Sequence, residues 1–122
     1  MKKSTWIVIV LVITSIVAGL WWSSRQPGKY DDFARCLTEK GITMYGAYWC
    51  PHCSEQKKLF GKSWEYISYV ECSLPNGQGM TRICEDAGIE SYPTWDFGNG
   101  TRLTGILRFE ELSRRSGCTF PG

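Results

Sequence analysis

The sequence lacks several features on which metal-binding and nucleic-acid-binding domains depend. His52 is its only histidine, and Cys50 and Cys53 form its only Cys-x-x-Cys pair. A zinc ribbon needs a second such pair, so the sequence argues against a structural zinc site. Residues 29–122 hold 11 lysines and arginines against 12 aspartates and glutamates, so no basic face is available for nucleic acid. We therefore predict a domain without a metal, a cofactor or a nucleic-acid partner.

Cysteine, in contrast, is frequent, with six in 122 residues. So many would be unusual in a cytosolic protein that binds no metal. An even number in a small domain behind an export signal is typical of disulfides in an oxidising compartment. We therefore expect the domain to work outside the cytoplasm, in the periplasm or at the cell exterior.

The first 24 residues differ in composition from the rest. Lys2 and Lys3 precede an uncharged run at 4–24, whose apolar centre at 6–22 is 17 residues long. As a helix this centre would extend roughly 25 Å, close to the thickness of the hydrocarbon core of a bilayer. Lysines at the front place the N-terminus in the cytoplasm and the remainder of the chain outside it.

Residues 1–24 have two interpretations. Trp6 at one end and Trp21 and Trp22 at the other are typical of interfacial anchors, which favours a single-pass anchor in the inner or cytoplasmic membrane. A cleaved signal peptide is the alternative. It would have a shorter apolar region and a small-residue cleavage site, which 17–19 match poorly.

After a linker at 25–29, residues 30–122 alternate helical and strand patterns. The predicted helices run from Asp31 or Asp32 to Gly41 and then cover 51–60, 80–87 and 109–116. The predicted strands cover 42–48, 66–72, 94–97 and 102–107, the last two joined by an Asn-Gly turn. This order, one helix and then β-α-β-α-β-β-α, indicates an α/β fold with a parallel strand pair followed by a hairpin.

The Cys-x-x-Cys pair lies where the first predicted strand gives way to a helix. Peptide dipoles at a helix start favour a thiolate at Cys50, Pro51 suits the first helical position, and His52 can add a positive charge or a hydrogen bond. We predict that Cys50, exposed at the helix start, attacks and that the more buried Cys53 resolves the mixed disulfide. A structural disulfide and half of a zinc site are the alternatives.

The segments 50–53 (Cys-Pro-His-Cys) and 92–94 (Tyr-Pro-Thr) resemble the thioredoxin superfamily. The resemblance implies a thioredoxin fold. It also implies that Pro93 follows a cis peptide bond and faces the cysteine pair, where the preceding backbone pairs with a substrate strand. Tyr92 and Pro93 would then face the substrate, and Trp49 would stack beside the active disulfide, although an aromatic there could also be a lid on the core.

A closer resemblance is to the thioredoxin-like domain fused to bacterial vitamin K epoxide reductase homologues. It covers roughly 30–117 and is carried by the segments 44–53, 56–57, 59–61, 69–72, 84, 87–89 and 92–95. In those proteins the domain passes oxidising equivalents between a quinone-reducing membrane domain and secreted substrates. This sequence has a single anchor and no four-helix membrane domain, so the resemblance implies a separately encoded membrane partner. The Pro-His dipeptide, shared with the strongly oxidising DsbA proteins, implies an oxidant.

The other four cysteines are predicted to be structural. Cys72 and Cys84 match a second pair in the vitamin K epoxide reductase-linked domains, where that pair forms a disulfide. Closing a loop of this length contributes about 3 kcal/mol in the chain-entropy model, and relay of electrons is the alternative role. Parity then suggests that Cys36 pairs with Cys118, although six cysteines permit 15 arrangements.

Together these patterns predict a membrane-tethered thiol-disulfide oxidoreductase facing the periplasm or cell exterior. It would oxidise cysteines of exported proteins and be reoxidised by a membrane protein of the vitamin K epoxide reductase type. A disulfide reductase or isomerase is the alternative with the same chemistry. A non-catalytic thioredoxin-fold binding module is the alternative of another class.

Overall fold

The structure is a computed structural model that describes residues 2–122. Within these residues five α-helices and four strands follow one another in the predicted order, and one 3₁₀ helix that was not predicted lies between the third helix and the second strand. They are α1 (Lys3–Ser24), α2 (Asp31–Glu39), β1 (Thr43–Gly46), α3 (Pro51–Phe60), the 3₁₀ helix (Gly61–Tyr66), β2 (Ser68–Glu71), α4 (Arg82–Asp86), β3 (Thr94–Asp96), β4 (Arg102–Thr104) and α5 (Phe109–Ser116). The structure therefore confirms an α/β protein with an apolar N-terminal helix.

The strands are shorter than predicted because their flanking residues enter turns. Beyond β1, for example, the Cys50 amide donates to the carbonyl of Ala47 at 3.0 Å, which closes a turn where the sequence predicts strand. The four strands form one mixed sheet in the order β2-β1-β3-β4. β1 pairs in parallel with β2 and antiparallel with β3, and β3 pairs antiparallel with β4, so the parallel pair and the hairpin are both present.

Helix α1 is 22 residues long, and its most apolar window has a mean hydropathy of 2.2. At about 1.5 Å per residue it extends roughly 33 Å. None of its described side chains is buried against the rest of the protein. By length and composition it is a candidate to cross a membrane, which agrees with the segment predicted at 1–24.

The residue predicted to cap the start of α2 is wrong. Tyr30 occupies the capping position, with no side-chain hydrogen bond, and Asp31 instead accepts the amide of Gly28 at 3.0 Å. Asp32 does not cap the helix either. The predicted end is correct, because Gly41 adopts a φ of +78° that other residues rarely take.

The main core lies between the sheet and helices α2, α3 and α5. Trp95, Phe33 and Leu112 are among its fully buried members. Buried Gln56 fixes α3 within this core. Its side-chain oxygen accepts the amide of Leu107 at 2.7 Å and the indole N–H of Trp95 at 3.2 Å, while its nitrogen donates to the Leu107 carbonyl at 3.0 Å. One amide thus fixes α3 relative to β3 and to the segment that precedes α5.

Candidate active site

Two thiols lie at the N-terminal end of α3. Cys50 occupies the capping position and Pro51 follows it within the first turn. The Cys50 Sγ accepts the backbone N–H of Cys53 at 3.3 Å. A sulfur in this position receives an amide N–H that has no partner within the helix.

Both cysteines are more buried than the sequence suggests. Cys50 is 6% exposed and Cys53 is 1% exposed. The prediction of an exposed Cys50 is therefore wrong, because the turn from Ala47 folds this residue back against the core. The predicted order of burial is nevertheless correct, since Cys53 is less exposed than Cys50.

Burial raises the pKa of the Cys53 thiol to about 12. Its hydrogen bond with Cys50 acts in the same direction, while the Ala47 backbone and the Lys57 ammonium oppose the shift. Cys53 consequently holds its proton at neutral pH. The two sulfurs therefore differ. Cys53 is buried and protonated, whereas Cys50 accepts a helix N–H.

Gly46, the last residue of β1, is essential to this packing, and sequence reasoning did not single it out. A Cβ there would lie 2.9 Å from the Cys53 Sγ and 3.0 Å from the Tyr69 ring. No heavier residue fits without moving one of these groups. Because the contact joins residues far apart in sequence, no local pattern indicates it.

Glu71, at the end of β2, was also missed. One of its carboxylate oxygens accepts the amides of Tyr48 and Ser73, each at 3.1 Å, and the other accepts the Tyr69 hydroxyl at 3.2 Å. The carboxylate thereby fastens the turn before Cys50 to the end of β2. A signal was present in the sequence, because Glu71 shares a strand face with Ile67 and Tyr69.

Tyr69 links this carboxylate to the thiols. Burial, and then the charge of Glu71, raise the pKa of its hydroxyl. The Lys57 ammonium lies 4.2 Å from the centre of its ring and 5.7 Å from that of Trp64. The charge of Lys57 therefore packs on two aromatic rings. Lys58 does lie exposed.

The predicted substrate-facing residues adjoin one another. Trp49 is 53% exposed, so it is not a lid on the core. Its ring meets Tyr92 edge-on at a centroid distance of 5.9 Å, and its indole N–H donates to Ser73 Oγ at 2.8 Å. The Tyr92-Pro93 peptide bond is cis. The Pro93 ring is fully buried, whereas Tyr92 is partly exposed.

The hydroxyl of Tyr92 is perturbed as well. Burial raises the pKa of its hydroxyl, and the nearby charges of Glu71 and Cys53 act in the same direction. Pro51 and His52 lie exposed on the first turn of α3. The site thus combines two buried sulfurs with an exposed rim formed by Trp49, Tyr92 and the first turn.

The other four cysteines are bonded in pairs. Cys36 is joined to Cys118 and Cys72 to Cys84, with S–S distances of 2.01 and 2.02 Å. The first bond ties α2 to the C-terminal tail. The second closes a small core of its own with Ile89, separate from the main core.

No protein-family model matches the chain. Among curated proteins, the thiol-disulfide oxidoreductase LTO1 of Arabidopsis thaliana is 40% identical to it over 88 residues. The match covers 69% of this chain and 23% of the plant protein, so the chain spans about a quarter of the length of that relative. The sequence of this chain is therefore similar to one part of a thiol-disulfide oxidoreductase.

Proposed function

We propose that the chain is a thiol-disulfide oxidoreductase with a thioredoxin fold, whose reactive groups are Cys50 and Cys53. The observation that carries the proposal is the unequal placement of these sulfurs. One accepts a helix N–H at 3.3 Å, and the other is 1% exposed with a raised pKa. The similarity to the plant oxidoreductase supports this activity. The mixed sheet and the cis proline before β3 support the fold.

The first step begins with Cys50 and Cys53 joined as a disulfide. A substrate thiolate attacks the Sγ of Cys50, the more accessible sulfur, and forms a mixed disulfide. The bond between Cys50 and Cys53 breaks, and its electron pair leaves on Cys53. Because burial favours the neutral form, that sulfur takes up a proton, which opposes the return attack.

The second step releases the product. Another thiolate of the substrate attacks the substrate sulfur held in the mixed disulfide, and Cys50 leaves as a thiolate. The start of α3 stabilises that anion through its N–H groups and its dipole. The substrate ends with a new disulfide and the protein ends with two reduced cysteines. His52, exposed beside Cys50, would add to this stabilisation when protonated.

We further propose that α1 anchors the domain outside the cytoplasm and that its substrates are cysteines of exported proteins. A quinone-linked membrane protein of the vitamin K epoxide reductase type would accept the two electrons and restore the disulfide. The length and composition of α1 support the anchor. The two further disulfides support an oxidising compartment. Trp49 and Tyr92 would contact the substrate beside its cysteine.

The test is equilibration of the Cys50–Cys53 pair with glutathione redox buffers, together with oxidation of a dithiol peptide. We expect a potential above about −270 mV, the value for thioredoxin, and rapid peptide oxidation that Cys50→Ser abolishes. A potential at or below thioredoxin's would instead indicate a reductase. Equal peptide oxidation by wild type and Cys50→Ser would leave a binding module as the function.

A further inference from the structure

Lys57 lies one helical turn after Cys53 on α3. Residues four apart share a face of a helix, and Lys57 is partly buried, whereas the next residue, Lys58, is exposed. The Lys57 ammonium lies 4.2 Å from the centre of the Tyr69 ring and 5.7 Å from that of the Trp64 ring. These two rings meet edge-on at a centroid distance of 5.6 Å. The two rings therefore hold the ammonium on the face of α3 that carries the Cys53 sulfur.

The Tyr69 ring lies between this ammonium and the Cys53 sulfur. It packs against the core that contains Cys53. A Cβ at Gly46 would lie 2.9 Å from the Cys53 Sγ and 3.0 Å from the Tyr69 Cε2, so the sulfur and the edge of the ring adjoin the same point. Lys57 lies over the face of the ring. A sulfur at the edge of an aromatic ring and a cation over its face are both favourable arrangements.

No carboxylate neutralises the Lys57 ammonium. Within residues 2–122 it forms no ion pair. Glu71, the carboxylate beside Tyr69, instead accepts the Tyr69 hydroxyl and two backbone amides. Burial raises the pKa of the Cys53 thiol, and the charge of Lys57 acts against that shift. The positive charge of Lys57 therefore reaches the buried sulfur.

The other titratable groups around Cys53 supply no positive charge to it. On α3, Cys50 raises the pKa of the Cys53 thiol through a hydrogen bond and through its charge. On β2, burial and a neighbouring carboxylate raise the pKa of Tyr69. Before β3, burial and the same carboxylate raise the pKa of Tyr92. Both tyrosines are therefore neutral at pH 7, and Lys57 is the cation of this cluster.

We propose that Lys57 stabilises the transient thiolate of Cys53 during disulfide exchange. The proposal rests on the Cys50–Cys53 chemistry of the proposed function. When a substrate thiolate bonds to the Cys50 sulfur, the bond between Cys50 and Cys53 breaks and its electron pair goes to the Cys53 sulfur. That sulfur is negatively charged until it takes up a proton from solvent. A positive charge on the same helix face lowers the free energy of this state.

This role predicts an effect on rates without an effect on the equilibrium. At pH 7 Cys53 is neutral in both stable states, first as half of a disulfide and then as a thiol. The ammonium of Lys57 favours neither of them and favours only the charged state between them. Neutralising Lys57 should therefore slow the opening and the closing of the disulfide by the same factor.

The experiment uses the full chain in detergent micelles, mixed with reduced glutathione at pH 7. Acid quenching and mass spectrometry follow the mixed disulfide of Cys50 with glutathione. The observed rate rises with glutathione concentration, so its slope gives the opening rate and its intercept gives the closing rate. We expect Lys57→Gln to lower both by about fivefold, because a more basic thiolate is also the better nucleophile and recovers part of the loss. Their ratio should stay within about twofold of wild type.

Three further variants separate the charge from the packing. Lys57→Met, whose unbranched side chain can pack on the same two rings, should match Lys57→Gln. Lys57→Arg keeps a positive charge that stacks on aromatic rings and should keep both rates within about twofold of wild type. Lys58→Gln removes an exposed charge from the same helix and is the matched control. The proposal is wrong if Lys57→Gln reacts like Lys58→Gln, if Lys57→Arg is as slow as Lys57→Gln, or if only one of the two rates falls.

Failure of this proposal is distinguishable from failure of the proposed function. A wild type that neither forms the mixed disulfide nor oxidises a dithiol peptide contradicts the oxidoreductase activity itself. A wild type that does both, with Lys57→Gln equally fast, contradicts only the role of Lys57. Urea unfolding of every variant confirms that the compared proteins are folded.

Discussion

Two pairs of cysteines near β2 and α3 have different surroundings, although all four sulfurs are shielded from solvent. Cys50 and Cys53 share a helix start, where an amide donates to sulfur. Cys72 and Cys84 are 0% exposed and lie in a separate small core. The Cys72 sulfur has only the carbonyl of Val70, an acceptor, at 3.8 Å. The donors and dipoles around a sulfur, more than its burial, therefore distinguish the pair that we propose to be reactive from the bonded pair.

The largest expected difference between the two pairs appears when one sulfur is removed from each. Cys50→Ser should abolish oxidation of a dithiol peptide, because the sulfur that the substrate thiolate attacks is lost. Cys84→Ser should leave the initial rate within about twofold, since that sulfur lies outside the proposed mechanism. Stopped-flow fluorescence on both variants would measure the rates. A complete loss in Cys84→Ser would contradict the division of roles and would favour relay of electrons through the second pair.

The free energy of unfolding, unlike the oxidation rate, should depend more on the Cys72–Cys84 pair than on the Cys50–Cys53 pair. Removing the second disulfide with Cys72→Ala and Cys84→Ala should lower the free energy of unfolding by about 3 kcal/mol, the chain-entropy value for a loop of this length. Urea unfolding followed by circular dichroism measures the change. Reducing the Cys50–Cys53 disulfide in the wild type opens a loop of only four residues, so we expect a smaller change in the free energy of unfolding. A loss of about 3 kcal/mol from that reduction would contradict the difference between the two pairs.

Gly46 tests how tightly the reactive pair is packed. Gly46→Ala places a Cβ 2.9 Å from the Cys53 sulfur, and overpacking of this kind costs about 1–3 kcal/mol. We expect lower stability and slower resolution of mixed disulfides, measured by urea unfolding and by quenched-flow alkylation. Gly122→Ala, which adds a methyl group where nothing lies within 4 Å and φ is not positive, is the matched control, because Gly46 has no positive φ either. Equal effects from the two changes would remove the packing argument.

The raised pKa of Cys53 predicts a contribution to the pH dependence of stability that the bonded Cys72–Cys84 pair cannot make. Its folded pKa of about 12 lies above its ordinary value of 9.0, so folding favours the protonated thiol. That contribution to stability is complete below about pH 9 and is lost as the pH rises towards 12. Reduced wild type should therefore lose more stability than Cys53→Ala over this range. Parallel urea midpoints for the two proteins would refute the shift.

The smallest effect should come from Glu71, which lies directly before Cys72 and fastens the turn before Cys50. Glu71→Gln keeps the shape and removes the charge, so the pKa of Tyr69 should fall. Ultraviolet absorbance of tyrosinate during a pH titration measures this change, with Glu55→Gln, on the exposed side of α3, as control. If the tyrosine titration is unchanged, the charge of Glu71 does not reach Tyr69.

The order of elements was predictable because it depends on local patterns. Apolar runs, glycines after helices and an Asn-Gly turn act within a few residues, and Gly41 ends α2 as expected. Asp31 shows the limit of such signals. Its position favoured a helix cap, but the carboxylate accepts the Gly28 amide instead. Which of two nearby donors a carboxylate meets depends on the packing of the linker, and that is not local.

The residues of the candidate site were likewise only partly predictable from the sequence. Cys50 and Cys53 could be identified from the sequence because four consecutive residues specify a helix start with two thiols. Gly46 and Glu71 were harder to assign, because the contact of Gly46 with Tyr69 and the hydrogen bond between Glu71 and Tyr48 each join residues 23 positions apart. The accessibility of Cys50 was overestimated for a similar reason. It depends on how the turn from Ala47 folds, not on the position of Cys50 at the helix start.

The Lys62 ammonium donates to the carbonyl of Ser23, in the last turn of α1, at 2.8 Å. If α1 is the membrane anchor that we propose, this hydrogen bond affects how quickly the protein meets its partners. A domain joined to its anchor by a bonded linker of five residues would explore a thin layer above the bilayer, not the surrounding volume. Encounters with another membrane protein would then follow lateral diffusion in two dimensions, at a nearly constant height. Exported proteins would have to approach that layer themselves, so crowding at the membrane surface would slow their oxidation more than it slows reoxidation of the Cys50–Cys53 pair.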